Sequence, residues 1–214
     1  MSSKHYNQIA GQRLGRIEAL SDGVFAIALT LLVLDLKVPV SEAINSEGAL
    51  LNALAALSPK ILSYFLSFMT LGIFWTGHTA QFHFIEKSDR NLNWISLFFL
   101  LAVSVLPFTT ALLSQYILFK TALGLYWLNI LVMGVLLYWH WAYAEKKGLL
   151  LANEETAATG HAIKRRIIIA QSLYAAGALL CFISTYVSIA VIVLVQLNYA
   201  LGLVNSISPK KANQ

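Results

Sequence analysis

The 214 residues are 58% hydrophobic and only 12% charged, about half the charge of an ordinary soluble domain, with a mean hydropathy of +0.68. So few charges cannot coat a soluble fold of this size, which excludes a soluble globular enzyme. The net charge of +5 is gathered in the loops between apolar runs, where it serves a membrane protein rather than a nucleic-acid binder.

Taken in chain order, the apolar runs predict six transmembrane helices, each needing roughly 20 largely apolar residues. The first spans about 14–36, around the run Val24-Phe25-Ala26-Ile27-Ala28-Leu29. Residues 38–57 follow as an outer loop that reads as a short amphipathic helix on the membrane surface. The second helix spans about 58–82, with Ser58 as N-cap and Pro59 in the first turn. The third spans about 92–113 and carries Pro107, whose missing N–H predicts a kink. The fourth spans about 122–143. Residues 144–163 read as a solvated connector on the inner side. The apolar stretch from Ile167 to Val204 is too long for one crossing at about 1.5 Å per residue. It divides near Ser184-Thr185 into a fifth helix (165–183) and a sixth (186–204). No repeat divides the chain, so 1–214 reads as a single six-helix transmembrane domain.

Six crossings put both termini on one side. Lys37, Lys60 and Lys120 fall on the opposite side, and the remaining twelve of the fifteen Lys and Arg fall with the termini. Positive charge stays inside, so the termini are expected in the cytoplasm. The cluster Lys164-Arg165-Arg166 reads as part of that topology signal, with contact to anionic lipid as a secondary reading. Cys181, the lone cysteine, excludes a disulfide framework and reads as a small buried hydrophobe.

The first helix carries the most polar groups: Arg16, Ser21, Asp22, Thr30 and Asp35. With Ile27 at zero on a helical wheel, Thr30, Leu31 and Leu34 fall within about 60°, and Leu20 and Gly23 extend the stripe. Ser21 and Asp22 point away by about 120° and about 140°. One face is therefore apolar with a single hydroxyl, and the other carries a carboxylate that reads as buried. From the wheel alone, lipid contact or helix packing explains the apolar face, and an interhelical pair explains Asp22 better than ion binding does.

The run Arg16-Ile17-Glu18-Ala19-Leu20-Ser21-Asp22 resembles the R-x-x-x-F-S-D signature on the first helix of the transmembrane protein 175 family of potassium channels. Leu20 stands where that family usually has Phe and keeps the apolar bulk. The resemblance extends to six helices per repeat, cytoplasmic termini, and Trp75 and His78 on the second helix. It implies a potassium-selective cation channel in a bacterial inner membrane, with the first helices lining a central pore and large apolar side chains forming rings along it. Here those positions are Ile27, Leu31 and Leu34, with Thr30 offering a hydroxyl near the narrowest point. It also implies that polar residues of the first two helices, here Arg16, Ser21, Asp22, Trp75 and His78, form a network holding the pore helix. Asp89, Asn91 and Asn93 are further candidates for it. A single repeat contributes one pore helix, so four chains are expected to close as a homotetramer. The permeant ions are potassium and other monovalent cations, and no cofactor or metal site is expected.

Asp35, about 80° off the stripe near the outer end, either concentrates cations at the pore mouth or pairs with Lys37 or Lys60. His78 and His83 lie about 140° apart on the wheel, poor geometry for sharing a metal. His140, between Trp139 and Trp141, reads as an interfacial anchor. No P-loop, H-E-x-x-H or G-x-S-x-G motif occurs. The rival to a channel is a secondary transporter or proton-coupled carrier, although neither inverted repeats nor a pair of interrupted helices is visible.

Overall fold

The computed structural model describes residues 14–40 and 44–201, and these fold as helices. Helix α1 runs from Leu14 to Leu31 and tightens into a 3-10 turn over Leu32–Asp35. Then follow α2 (Glu47–Ala56), α3 (Ser58–Phe84), α4 (Arg90–Gln115), α5 (Lys120–Lys146), α6 (Glu154–Leu179, with a 3-10 turn over Leu180–Phe182) and α7 (Thr185–Leu201). Four of these units, α1 with its 3-10 turn, α4, α5 and α6 with its own, are each long and apolar enough to cross a membrane. The pair α2 and α3, bent by 46° at Leu57, supplies a fifth candidate, and α7 is a shorter apolar helix within the described residues.

Local chemistry explains most boundaries. Ser46 caps α2 by accepting from Ala49 N at 3.2 Å. Ser58 was expected to cap α3, but it is already helical. Leu57 holds the N-cap position without a side-chain bond, because α2 feeds into α3 through a bend. Asp89 caps α4 by accepting from Leu92 N at 2.8 Å, and the helix runs past Pro107 to Gln115. Helix α5 ends in a Schellman arrangement. Gly148 takes φ +63°, Leu149 N reaches Ala144 O at 3.0 Å, and Gly148 N reaches Glu145 O at 3.2 Å. The connector expected over 144–163 is shorter than predicted. Asn153 accepts from Thr156 N at 2.7 Å, Glu154 and Glu155 occupy the favourable first turn, and α6 is helical from there. The break near Ser184-Thr185 is where the sequence places it. With no Gly or Pro available, the 3-10 turn and the Ser184 N–Leu180 O bond at 2.9 Å make the reversal.

The core lies between α4, α5 and α3. Phe99, Val103 and Leu106 of α4 interlock with Leu123, Tyr126, Ile130 and Met133 of α5, and Leu66 and Leu71 of α3 complete the layer. In lipid there is little hydrophobic gain from joining helices, so close packing and interhelical hydrogen bonds hold such a bundle. Both are present. Ser188 donates to Gly177 O at 2.6 Å, and Gly177 lets α7 approach so closely that a Cβ there would sit 3.2 Å from Ile192. At the core, Ser67 and Thr70 of α3 meet the Tyr126 hydroxyl at 3.2 and 3.1 Å. Thr110 of α4 reaches Ser67 at 2.7 Å, and Gln196 of α7 donates to Thr70 at 2.7 Å. Thr110 also bonds Leu106 O of its own helix, so its hydroxyl serves both the helix backbone and this four-helix cluster.

Candidate functional site

Helix α1 packs on α4 and α3 and little else, so about half its circumference is free of its own chain. Its inward residues are Ile17, Ser21, Phe25, Ala28 and Leu32, at the three- and four-residue spacing of one helical face. Phe25 is the anchor. It is 1% exposed, with its ring 5.9 Å from Phe99 and 6.5 Å from His78. The outward half carries Leu20, Gly23, Ile27, Thr30, Leu31 and Leu34. Ile27 is 60% exposed and Leu34 68%. The predicted stripe is therefore a continuous surface of the protomer.

Backbone geometry arranges this surface. Ile27 to Leu31 is one α-helical turn, about 6 Å along the axis. Leu31 to Leu34 enters the 3-10 turn, where residues three apart eclipse and rise about 2.0 Å each, again about 6 Å. The three large side chains thus stand one above another at nearly equal intervals. Thr30 donates its hydroxyl proton to its own helix, to Ala26 O at 3.0 Å and Ile27 O at 2.9 Å. That proton is engaged, so the oxygen's remaining lone pairs are what the side chain presents outward.

The predicted signature network is only partly assembled. The Trp75 indole N–H donates to Asp22 Oδ1 at 2.9 Å, tying α1 to α3. Asp22 is not buried, as the wheel suggested. It lies on the outward side of the protomer, and its second oxygen makes no hydrogen bond among the described residues. Ser21 faces the opposite way and bonds Ile17 O at 2.9 Å. Arg16 is exposed, in line with its wheel position away from Asp22. His78 joins neither Asp22 nor Trp75. It is buried in an aromatic box with Phe82 and Phe99 at 4.6 Å and His140 at 5.2 Å. The one direct pair made is Asp22 with Trp75, because the other three side chains leave their helices in different directions.

His140 is likewise not an interfacial anchor. It is fully buried, and its Nδ1 lies 2.7 Å from Gln81 Oε1, while the amide of Gln81 donates to Leu137 O at 3.0 Å. Only Trp139 of its neighbours is exposed, and Trp141 is buried. Asp35 pairs with neither Lys37 nor Lys60. It accepts from Ser114 Oγ at 2.6 Å, which pins the C-terminal end of α1 to α4. Asp89 and Asn91 form a separate cluster on the Tyr143 hydroxyl, at 2.7 and 3.2 Å. Asn93 accepts from Ser88 at 2.6 Å. No group of three potential metal ligands occurs among the described residues.

Comparison with known proteins places this architecture. A family model described as endosomal/lysosomal potassium channel TMEM175 matches residues 16–107, the segment holding most of α1, all of α2 and α3 and most of α4. A potassium channel of Streptomyces collinus is 33% identical, over 86% of this chain and 90% of its own. The human endosomal/lysosomal proton channel TMEM175 is 39% identical, over 43% of this chain but only 19% of its own length. Among solved structures, the crystal structure of a lysosomal potassium-selective channel TMEM175 homolog from Chamaesiphon minutus superposes with a TM-score of 0.77. It is 30% identical, and the match covers 88% of this chain and 97% of that one.

Proposed function

The chain belongs to the TMEM175 family of ion channels and is not an enzyme, and from that premise we propose that it is a potassium-selective cation channel whose α1 helices line the pore of a homotetramer. It is a multi-pass membrane protein. In this reading it is one unit of six crossings in a bacterial inner membrane, with both termini in the cytoplasm as the Lys/Arg asymmetry requires. No cofactor takes part.

The observation that carries the proposal is the free half of α1. Asp22 stands about 12 Å from the start of the helix at Leu14, at 1.5 Å per residue, exposed and with one oxygen unpartnered among the described residues. A carboxylate facing lipid at that depth is expensive. The free half of α1 therefore meets protein or water, and cyclic assembly around α1 supplies both. Four copies then turn Ile27, Leu31 and Leu34 into three stacked apolar rings.

Such rings offer no ligand oxygens, unlike a carbonyl filter, and act by excluding water. An ion crossing them sheds part of its hydration shell, and potassium sheds water more cheaply than sodium. The Thr30 oxygens sit beside the Ile27 ring, where a partly dehydrated ion needs an acceptor. Asp35, held by Ser114, keeps negative charge at the outer mouth and raises local cation concentration. Asp22 and Trp75 tie α1 to α3 and stabilise the assembly rather than the filter. Ile27→Asn tests the ring. It replaces the branched alkyl group by an amide, and the reversal potential under opposed potassium and sodium should move toward zero. An unchanged reversal potential removes Ile27 from the filter.

A further inference from the structure

Between α3 and α6 the bundle leaves an open groove of about 590 Å³, which Leu29 of α1, Leu137 of α5 and Tyr199 of α7 also line, a volume typical of small-molecule sites. Its α6 wall is Ile163, Ile167, Ala170 and Tyr174, and Gly72 of α3 lies opposite. Gly72 adds room on the α3 wall, where a Cβ would meet nothing within 4 Å.

Two features identify the occupant. The first is length. Ile163 to Tyr174 covers eleven steps of α6, about 16 Å, which is half of a hydrocarbon core about 30 Å thick. The groove is as long as one leaflet. The second is charge. Arg166 lines the groove within a turn of its Ile163 end, beside Lys164 and Arg165. Its guanidinium is stacked 5.5 Å from the Tyr199 ring centroid, and it has no carboxylate partner among the described residues. Neighbouring Lys164 is already held by Glu145 at 2.8 Å.

We infer that this groove is a site for one anionic phospholipid, with its phosphate on Arg166 and an acyl chain laid between α3 and α6 toward Tyr174. The aromatic stack holds the guanidinium plane and leaves its N–H fork for a phosphate, which it matches in geometry. A helix from a second copy would have to bring its own carboxylate to Arg166, which has none among the described residues, or bury that charge unpaired. That the leaflet is the cytoplasmic one rests on the topology proposed above; occupancy of the groove does not.

Native mass spectrometry of the purified, detergent-solubilised protein, titrated with phosphatidylglycerol and separately with phosphatidylcholine, tests the site. Wild type should retain one phosphatidylglycerol per chain with at least a fivefold preference over phosphatidylcholine. Arg166→Gln should abolish that preference. Gly72→Leu, which fills the groove, should lose the retained lipid with the assembly mass unchanged. Equal retention of the two lipids, unaffected by Arg166→Gln, overturns the site in favour of a general lipid annulus. An assembly that dissociates on Gly72→Leu with lipid retention intact overturns it in favour of a second copy. Potassium flux measured on the same preparations separates the two proposals. A wild type that retains phosphatidylglycerol but carries no flux supports the lipid site and overturns the channel reading.

Discussion

Among the described residues the bond from Trp75 is the direct tie from the signature aspartate to a neighbouring helix, and its strength depends on what covers it. At 2.9 Å it has the geometry of a good N–H···O bond to a charged acceptor. Such bonds contribute about 1.5–3 kcal/mol when shielded from water. An equivalent exposed charge interaction is worth about 0.2–1 kcal/mol. Both residues face outward from the protomer, so a shielded value requires that the assembly cover them. Trp75→Phe keeps most of the ring and deletes the donor; Asp22→Ala deletes the acceptor. A double-mutant cycle isolates the pair, and the predicted coupling is about 2 kcal/mol. For a chain of this size about 2 kcal/mol corresponds to a fall of about 4–8 °C in the midpoint, read by heating the solubilised protein and following the assembly peak by fluorescence-detected size exclusion. Surviving Trp75→Phe channels should keep their potassium preference, because the pair sits outside the rings. A coupling below about 0.5 kcal/mol would refute the reasoning, since it would place the pair in open water.

Three other perturbations have definite expected results. Thr30→Val keeps the shape but removes the oxygen beside the Ile27 ring, and should lower unitary potassium conductance severalfold; an unchanged conductance takes Thr30 out of the ion's path. Tyr126→Phe leaves Ser67 and Thr70, buried at the core, without their shared hydroxyl and should cost about 1–3 kcal/mol, measured as a lower thermal midpoint with reversal potential unchanged. Phe25→Ala opens a cavity between Phe99 and His78 on the inward face of α1 and should cost about 3–5 kcal/mol. A midpoint within error of wild type would show that Phe25 does not anchor the pore helix.

The helices that face lipid were legible in the sequence because hydropathy and membrane thickness constrain the same stretch of chain. Helix α1, the break near Ser184 and the outward stripe from Leu20 to Leu34 all emerge from that constraint and helical periodicity. What hydropathy reads is contact with lipid, not helicity. The first turns of α6, with Glu154, Glu155, Thr156 and His161, are helical but polar and were read as a connector. The signal was present in Asn153 followed by two acids, an ordinary helix start. Side-chain partners were less legible. Trp139 and Trp141 flank His140 in sequence, which suggests an interface, yet they leave α5 in different directions and carry His140 inward to Gln81. Arg16, Ser21 and Asp22 share a motif but not a face, and Trp75 and His78 stand on a different helix. Only a helix pair whose rotation is known shows that Asp22 meets Trp75 while His78 turns to the aromatic box. Asp35 carries no local hint of Ser114, which lies 79 residues further along the chain.

The most direct test of the pore is single-channel recording of the purified protein in planar bilayers, with potassium on one side and sodium on the other. The account predicts resolvable unitary currents that reverse near the potassium equilibrium potential, with Ile27→Asn shifting the reversal toward zero. Cation transport that is reproducible, saturates at low turnover and never resolves into unitary events would contradict it and assign the protein to the carriers.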